Sequence, residues 1–342
     1  MIFSVRTIAA LALAALAPVG IAALPASAQT PAASAGIVVY NAQHATLTEA
    51  WAKAFTAETG IKVTLRQGSD TLFANQLVQE GAATPADVFI TENSPAMAIV
   101  AKAGLFAPLS KPTLALVPEV YRPADGTWIG IAARTTVFAY NKTKLSADKL
   151  PKSMLDLADP AWKGRWGGAP AGADFQAIVG ALLQLKGESA TSAWLKAMKT
   201  NATAYRGNGA ALRGVNLGEV DGAIIYHYYY FGDQDKTGEN SKNVGLHYFR
   251  NADPGAFVSI SGAGVMAASK NKKEAEAFVA WIAGKGGQAI LRDGDSFEYA
   301  IGIGADANPK LEPLAKLGAP RVEPATLDSA KVTALMTAAG LL

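Results

Sequence analysis

From residue 37 onward the chain alternates short apolar runs with amphipathic stretches, and this alternation constrains its fold more than any other feature. "IVVYN" (37–41) has the length and composition of a buried strand. "TLTEAWAKAFTAETG" (46–60) places Leu47, Trp51, Ala54 and Phe55 at helical spacing, and Gly60 stands where a helix ends in a left-handed residue. "IKVTLRQG" (61–68) alternates as a strand does. "DTLFANQLVQEGAAT" (70–84) returns to the helical period, and "ADVFITEN" (86–93) is again a buried strand. Ser94 and Pro95 suit the N-cap and first turn of the next helix. Strands alternating with helices predict a parallel, doubly wound α/β sheet.

The second half repeats the alternation with two long exceptions. "WIGIAARTTVFAYN" (128–141) and "DPGAFVSISGAGVMAAS" (253–269) each hold a strand long enough to cross between domains. Between them lie a Gly-Arg-Trp-Gly strand, helices over 175–187 and 189–201, and the strand "GAII" (222–225). Helical turns follow over 271–294, and the Pro-rich tail ends in a helix. The expected architecture is two doubly wound α/β lobes joined by two hinge strands, with a ligand cleft between them. Lobe 1 is expected over 36–133 and 259–304, and lobe 2 over 134–258 and 305–342.

Half of the 342 residues are apolar and 17% are charged, which supports two cores and argues against disorder. The net charge is +3 with no basic block, so nucleic acid is not an expected partner. Residues 1–28 carry Arg6 ahead of an Ala/Leu-rich run and end in Ala26-Ser27-Ala28, the pattern of a cleavable secretory signal peptide. Pro18, Gly20 and Pro25 interrupt that run, against a permanent anchor. No other long apolar stretch follows, so stable membrane insertion is not expected. The chain has no cysteine, hence no disulfide and no lipid-modified N-terminal cysteine. The expected address is the periplasm.

In open α/β sheets, ligands sit beyond the carboxyl ends of the strands. His44 follows the first strand, Glu92 the third, and Asp174 the Gly-Arg-Trp-Gly strand. "YHYYYF" (226–231) follows "GAII" and holds four of the chain's ten Tyr and one of its three His. Phenol, carboxylate and imidazole without thiol suit a hard, highly charged cation. A phenol with a pKa of about 10 yields its proton at neutral pH only to a strong Lewis acid such as Fe³⁺. Two phenolates, a carboxylate and a neutral imidazole bring three negative charges to a trivalent ion. Two other uses of the same residues stand beside this one. The tyrosines can form an aromatic wall packing lobe on lobe. They can also form a cage for a small organic ligand such as a polyamine, thiamine or a phosphonate. A polyamine site wants several acidic groups, and the cleft offers Glu92 and Asp174. An enzyme is not expected: there is no G-x-S-x-G, no H-E-x-x-H and no cysteine nucleophile.

With these residues in view, the chain resembles the periplasmic ferric-ion-binding proteins of bacterial iron(III) ABC importers, which have the type II periplasmic binding fold. The resemblance spans essentially everything after the signal segment. "VVYNAQH" (38–44) is similar to the family's opening strand, whose ligand His falls on His44. "PADVFITEN" places the family's carboxylate ligand on Glu92, and "DGAIIYHYYYF" places its paired ligand tyrosines on Tyr228 and Tyr229. "RNADPGAFVSISGAGVM" (250–266) is similar to the stretch that returns through the hinge. The resemblance implies a monomer that traps one Fe³⁺ between its lobes, often with a synergistic anion such as phosphate or carbonate. It also implies an inner-membrane ABC permease and its ATPase as partners. The chain departs from the family at "PAGADF" (170–175), where anion-binding members carry a Ser-Gly-Ala turn. Asp174 there would repel an anion; two roles remain open to it, metal ligand or hydrogen-bond partner of a tyrosine. Arg134 and Asn208 match positions at the anion or the site periphery. Tyr226 and Tyr230, at i and i+4, can line one wall of the cleft but suit core packing better than metal ligation, with His227 between them as a weak ligand candidate.

Overall fold

The computed structural model describes residues 36–342. The expected signal segment 1–28 lies outside the described residues. β1 (Ile37–Asn41) leads into α1 (Ala45–Thr59), which buries Leu47, Trp51 and Phe55 on one face and stops at Gly60, φ 74°. β2 (Val63–Gln67), α2 (Asp70–Glu80), β3 (Val88–Ile90) and α3 (Ser94–Lys102) follow. The N-cap of α3 is Asn93 rather than the expected Ser94. Asn93 stays extended (φ −129°, ψ 142°) because its side chain is held from outside the helix, and Ser94 has already entered the first turn.

After α4 (Lys111–Leu114) the chain enters β4 (Ile129–Asn141), thirteen residues buried almost throughout. The second lobe then contains β5 (Trp166–Gly168), α5 (Ala173–Asn201), β6 (Ala202–Ala204), α6 (Asn208–Leu217), β7 (Gly222–Tyr226), α7 (Tyr228–Lys236) and β8 (Val244–His247). The two helices expected over 175–201 are one element broken at Gly187 (φ 78°, ψ 173°), a conformation open to glycine because it lacks Cβ. β9 (Val258–Val265) returns to the first lobe, where α8 (Lys272–Ala283) and α9 (Lys285–Asp293) pack. The tail ends in α10 (Ser329–Ala338), which lies on α5.

The strands run in the order β2-β1-β3-β9-β4-β7-β5-β6, with β8 also on β4. β1 is parallel to β2 and β3, and β5 to β6 and β7. The expectation of a parallel sheet needs correcting at the centre. β9 is antiparallel to β3 and β4, and β4 is antiparallel to β7 and β8. The reason is topological: β4 carries the chain out of lobe 1 and β9 carries it back, so the two crossings run in opposite senses. The first half of β4, Ile129–Thr135, pairs with β9; from Thr136 onward it pairs with β7 and β8.

Both lobes are wound on both faces. Val88 and Ile90 join one core with Trp51, Phe55 and Phe278, while Phe89 joins another with Phe73 and Trp128. In lobe 2, Ile224 faces Trp166 and Phe175, and Ile225 faces Val137 and Val215. Trp51, Trp128 and Trp166 are fully buried. Emptying one such site costs about 3–5 kcal/mol. The stability of each lobe therefore rests away from the cleft, and cleft side chains can be varied without dissolving the lobes. No helix among the described residues is long and apolar enough to cross a membrane.

Candidate metal centre

The lobe 1 wall is set by two strand-to-helix turns. His44 ends the turn after β1 at the N-cap of α1, but its ring makes no capping bond. Its backbone N–H donates to Gln43 Oε1 at 2.7 Å, and its Nε2 has no hydrogen-bond partner. That nitrogen lies 3.8 Å from Glu92 Oε1. Glu92 follows β3. Asp70, the first residue of α2, accepts from the backbone N–H groups of Glu92 (2.8 Å) and Asn93 (2.9 Å), fixing the direction in which the Glu92 side chain leaves. Burial and the nearby Glu92 charge push the Asp70 carboxyl up to about 8.

The lobe 2 wall is set by two helix starts. Tyr228 and Tyr229 open α7 directly after β7, and Asp174 is the second residue of α5. The first turn of α5 sits tight on β5 because Gly168 leaves room: a Cβ there would lie 2.7 Å from the Phe175 ring. Asp174 Oδ2 accepts from Asn208 Nδ2 (2.8 Å), Tyr228 Oη (3.1 Å) and Tyr229 Oη (3.1 Å). Asp174 Oδ1 accepts from Asn93 Nδ2 at 3.0 Å, a contact from the opposite wall. Tyr228 Oη also lies 2.7 Å from Glu92 Oε1. A phenol has one proton, so Tyr228 donates to Glu92 or Asp174 but not both at once. The Tyr228 and Tyr229 rings stack at 4.3 Å, and the His44 ring meets Tyr228 edge-on at 5.1 Å.

Burial raises the Tyr228 and Tyr229 phenols well above their ordinary range, and the carboxylates of Asp174 and Glu92 raise them further. Burial and Glu92 push Asp174 up to about 6. The phenols therefore stay protonated until something more positive than a proton displaces it. Among the described residues no cluster of three or more His, Asp or Glu is placed to hold a metal, so a metal at this point needs the tyrosines. A cavity of about 450 Å³ adjoins the group, lined by His44, Thr46, Gly209, Tyr228, Tyr229 and Asp233.

The remaining sequence candidates separate. Tyr226 is fully buried, with Oη 3.4 Å from the Asp174 backbone oxygen. Tyr230 packs edge-on against Phe231 at 5.4 Å. His227 is fully buried; its Nδ1 accepts from the Thr135 N–H at 3.2 Å, and burial drives it down to about 3. Asn208 joins the group through Asp174. Arg134, fully buried, bonds Glu298 and Ser261, and its Cζ lies 5.8 Å from the Tyr228 ring centre. Tyr229, His44 and Arg134 all pack on Tyr228.

The sequence profile of the bacterial extracellular solute-binding proteins matches residues 40–289. The chain belongs to that family. This solute-binding protein is 61% identical over 336 residues to the Fe(3+)-binding periplasmic protein of Serratia marcescens, covering 97% of this chain and 99% of that one. It is 40% identical to the major ferric iron-binding protein of Neisseria meningitidis serogroup B, over 92% of this chain and 96% of that one. The crystal structure of iron-bound HitA from Pseudomonas aeruginosa superimposes with a TM-score of 0.84 at 43% identity, covering 90% of this chain and all of that one. The two-lobed α/β architecture is thus that of the family.

Several residues around the centre of this solute-binding protein escape a reading by strand ends. Asp70 orients Glu92, Gln43 holds the His44 backbone, and Asn93 joins Asp174 to Ser259 on β9. Asn93 had a signal, since it directly follows Glu92. Glu298 had none: it lies in an irregular segment 164 residues from Arg134.

Proposed function

We propose that this solute-binding protein captures ferric iron in the cleft between its lobes and hands it to an inner-membrane ABC permease and its ATPase. It works in the periplasm, after loss of residues 1–28. One observation carries the proposal: two stacked phenols from lobe 2 meet an imidazole and a carboxylate from lobe 1, with Tyr228 Oη 2.7 Å from Glu92. The iron-binding relatives support it. Tyr228, Tyr229, Glu92 and His44 are the proposed ligands. His44 and Glu92 reach the ion only when the lobes close about β4 and β9. The closing bodies are taken as 36–133 with 259–304, and 134–258 with 305–342. Fe³⁺ brings enough positive charge to displace the phenolic protons, which a divalent ion does less readily.

Asp174 takes the place that an exogenous anion would fill. Its carboxylate sits at the N-terminus of α5 within reach of four donor groups, Asn93, Asn208, Tyr229 and Tyr228, the last sharing its one proton with Glu92. An added anion would meet that negative charge at short range. We therefore expect iron to bind without phosphate or carbonate.

Titration of the purified protein with ferric citrate, followed in the visible range with and without bicarbonate or phosphate, tests both statements. A phenolate-to-iron absorption band of the same strength in each buffer is the expected outcome. A protein that folds but stays colourless refutes iron capture. A band that appears only with the added anion refutes the role given to Asp174.

A further inference from the structure

Beneath the tyrosine pair lies a buried ion pair that none of the chemistry above uses. Arg134 on β4 and Glu298 are both fully buried and bonded to each other. Replacing a buried pair with apolar residues commonly leaves stability unchanged or improved, so stability is a weak reason to keep one. This pair is also incompletely satisfied: Nε and Nη1 of Arg134 and Oε2 of Glu298 have no hydrogen-bond partner. Its position is particular. Arg134 lies 5.8 Å from the Tyr228 ring centre and donates to Ser261 Oγ at 2.8 Å, and Ser261 in turn donates to the Glu92 backbone oxygen at 3.2 Å. Gln43, which accepts from the His44 N–H, donates to Ser261 and reaches Glu298 Oε1 at 3.4 Å. The pair is therefore linked to three of the four proposed ligands without touching the cargo. Glu298 is brought there at some cost, because Phe297 just before it sits at φ 53°, a sparsely populated region for a bulky residue.

A bare guanidinium at this distance would do two things. It would neutralise part of the field of Glu92 and Asp174, and it would repel a trivalent ion more than a divalent one. Glu298 cancels much of that charge. We propose that Glu298, acting through Arg134, is a specificity-determining positioning residue: the pair sets how strongly the site prefers ferric to ferrous iron. This inference rests on the ferric reading above and adds the residues that tune it.

The test uses iron-loaded full-length mature protein and three variants, E298Q, R134Q and R134Q/E298Q, with spectroelectrochemical bleaching of the iron band in excess iron as the readout. E298Q leaves an uncompensated positive charge, because Arg134 cannot shed its proton. Its midpoint potential should rise, and its ferric affinity in citrate competition should fall by about tenfold. R134Q removes the guanidinium, so its potential should lie below that of E298Q. The double variant, which carries neither charge, should lie below E298Q and no lower than R134Q. Loss of a merely structural contact would shift both single variants the same way. If R134Q does not fold, E298Q against the double variant decides, and E298Q must lie higher. A coloured wild type with any other order overturns this inference alone. A colourless wild type overturns the ferric reading and this inference with it.

Discussion

On the lobe 1 wall of the cleft, His44 and Glu92 are half-buried, and the His44 Nε2 has no partner. On the lobe 2 wall, Tyr228 and Asp174 are buried, and the Tyr228 and Tyr229 hydroxyls and the Asp174 carboxylate are engaged with one another. One wall thus offers donors ready to accept a cation. The other offers donors whose protons must first be driven off. The difference divides the labour. On the proposed function, lobe 2 decides which ion is held, because only a strong Lewis acid deprotonates buried phenols beside carboxylates. On the same proposal, lobe 1 decides when it is held, because its two groups arrive only on closure.

Substitutions on the two walls should therefore differ in kind. Tyr228→Phe or Tyr229→Phe should remove most of the visible band and lower iron affinity by more than about 100-fold, beyond what the loss of a ligand's supporting partner costs. A strong residual band would break the comparison at its centre. Asp174→Asn should lower affinity by about 10- to 100-fold, and phosphate or carbonate should restore part of it. Restoration is read by repeating the titration in each buffer. His44→Gln and Glu92→Gln should cost less, about tenfold, and keep the band because both phenolates remain. A colourless Glu92→Gln protein would place ion selection on the wrong wall.

The smallest expected effect on iron binding concerns a histidine that serves the fold rather than the cleft. His227 is held neutral, its pKa lowered from about 6.5 to about 3 by burial. Between those values the unfolded chain binds a proton that the folded chain refuses, so apo-protein stability should fall as the pH drops from about 6.5 toward 3. The thermal midpoint measured across that range should show the slope, and His227→Gln should flatten it. An unaltered slope in the variant would assign the effect to other groups.

How far the molecule could be read in advance follows from the range of the interactions involved. The strand-end rule places His44, Glu92, Asp174 and the 226–230 cluster near one point because each comes soon after a strand, the resemblance singles out Tyr228 and Tyr229 within the cluster, and the structure brings these two to His44, Glu92 and Asp174. The helix period placed α1 and α2 for the same local reason. The sheet direction at β4 and β9 is not legible in the sequence because a strand's own residues do not say which neighbour it pairs with. Asn93 was passed over as the N-cap of α3 because its partners, Asp174 and Ser259, lie 81 and 166 residues away. Glu298 was invisible for the same reason.

The two α/β lobes, the two crossings and the kind of chemistry available at their edges are legible in the residues alone. These depend on periodicity and on residue type, which are local. Only the tertiary structure decided that Asp174 faces both tyrosines and that Tyr228 reaches Glu92. It alone set Arg134 and Glu298 beneath them. Those placements depend on how two separately wound lobes meet across β4 and β9. The energies involved come from burial and from charge at short range, and neither exists until distant segments have been packed together.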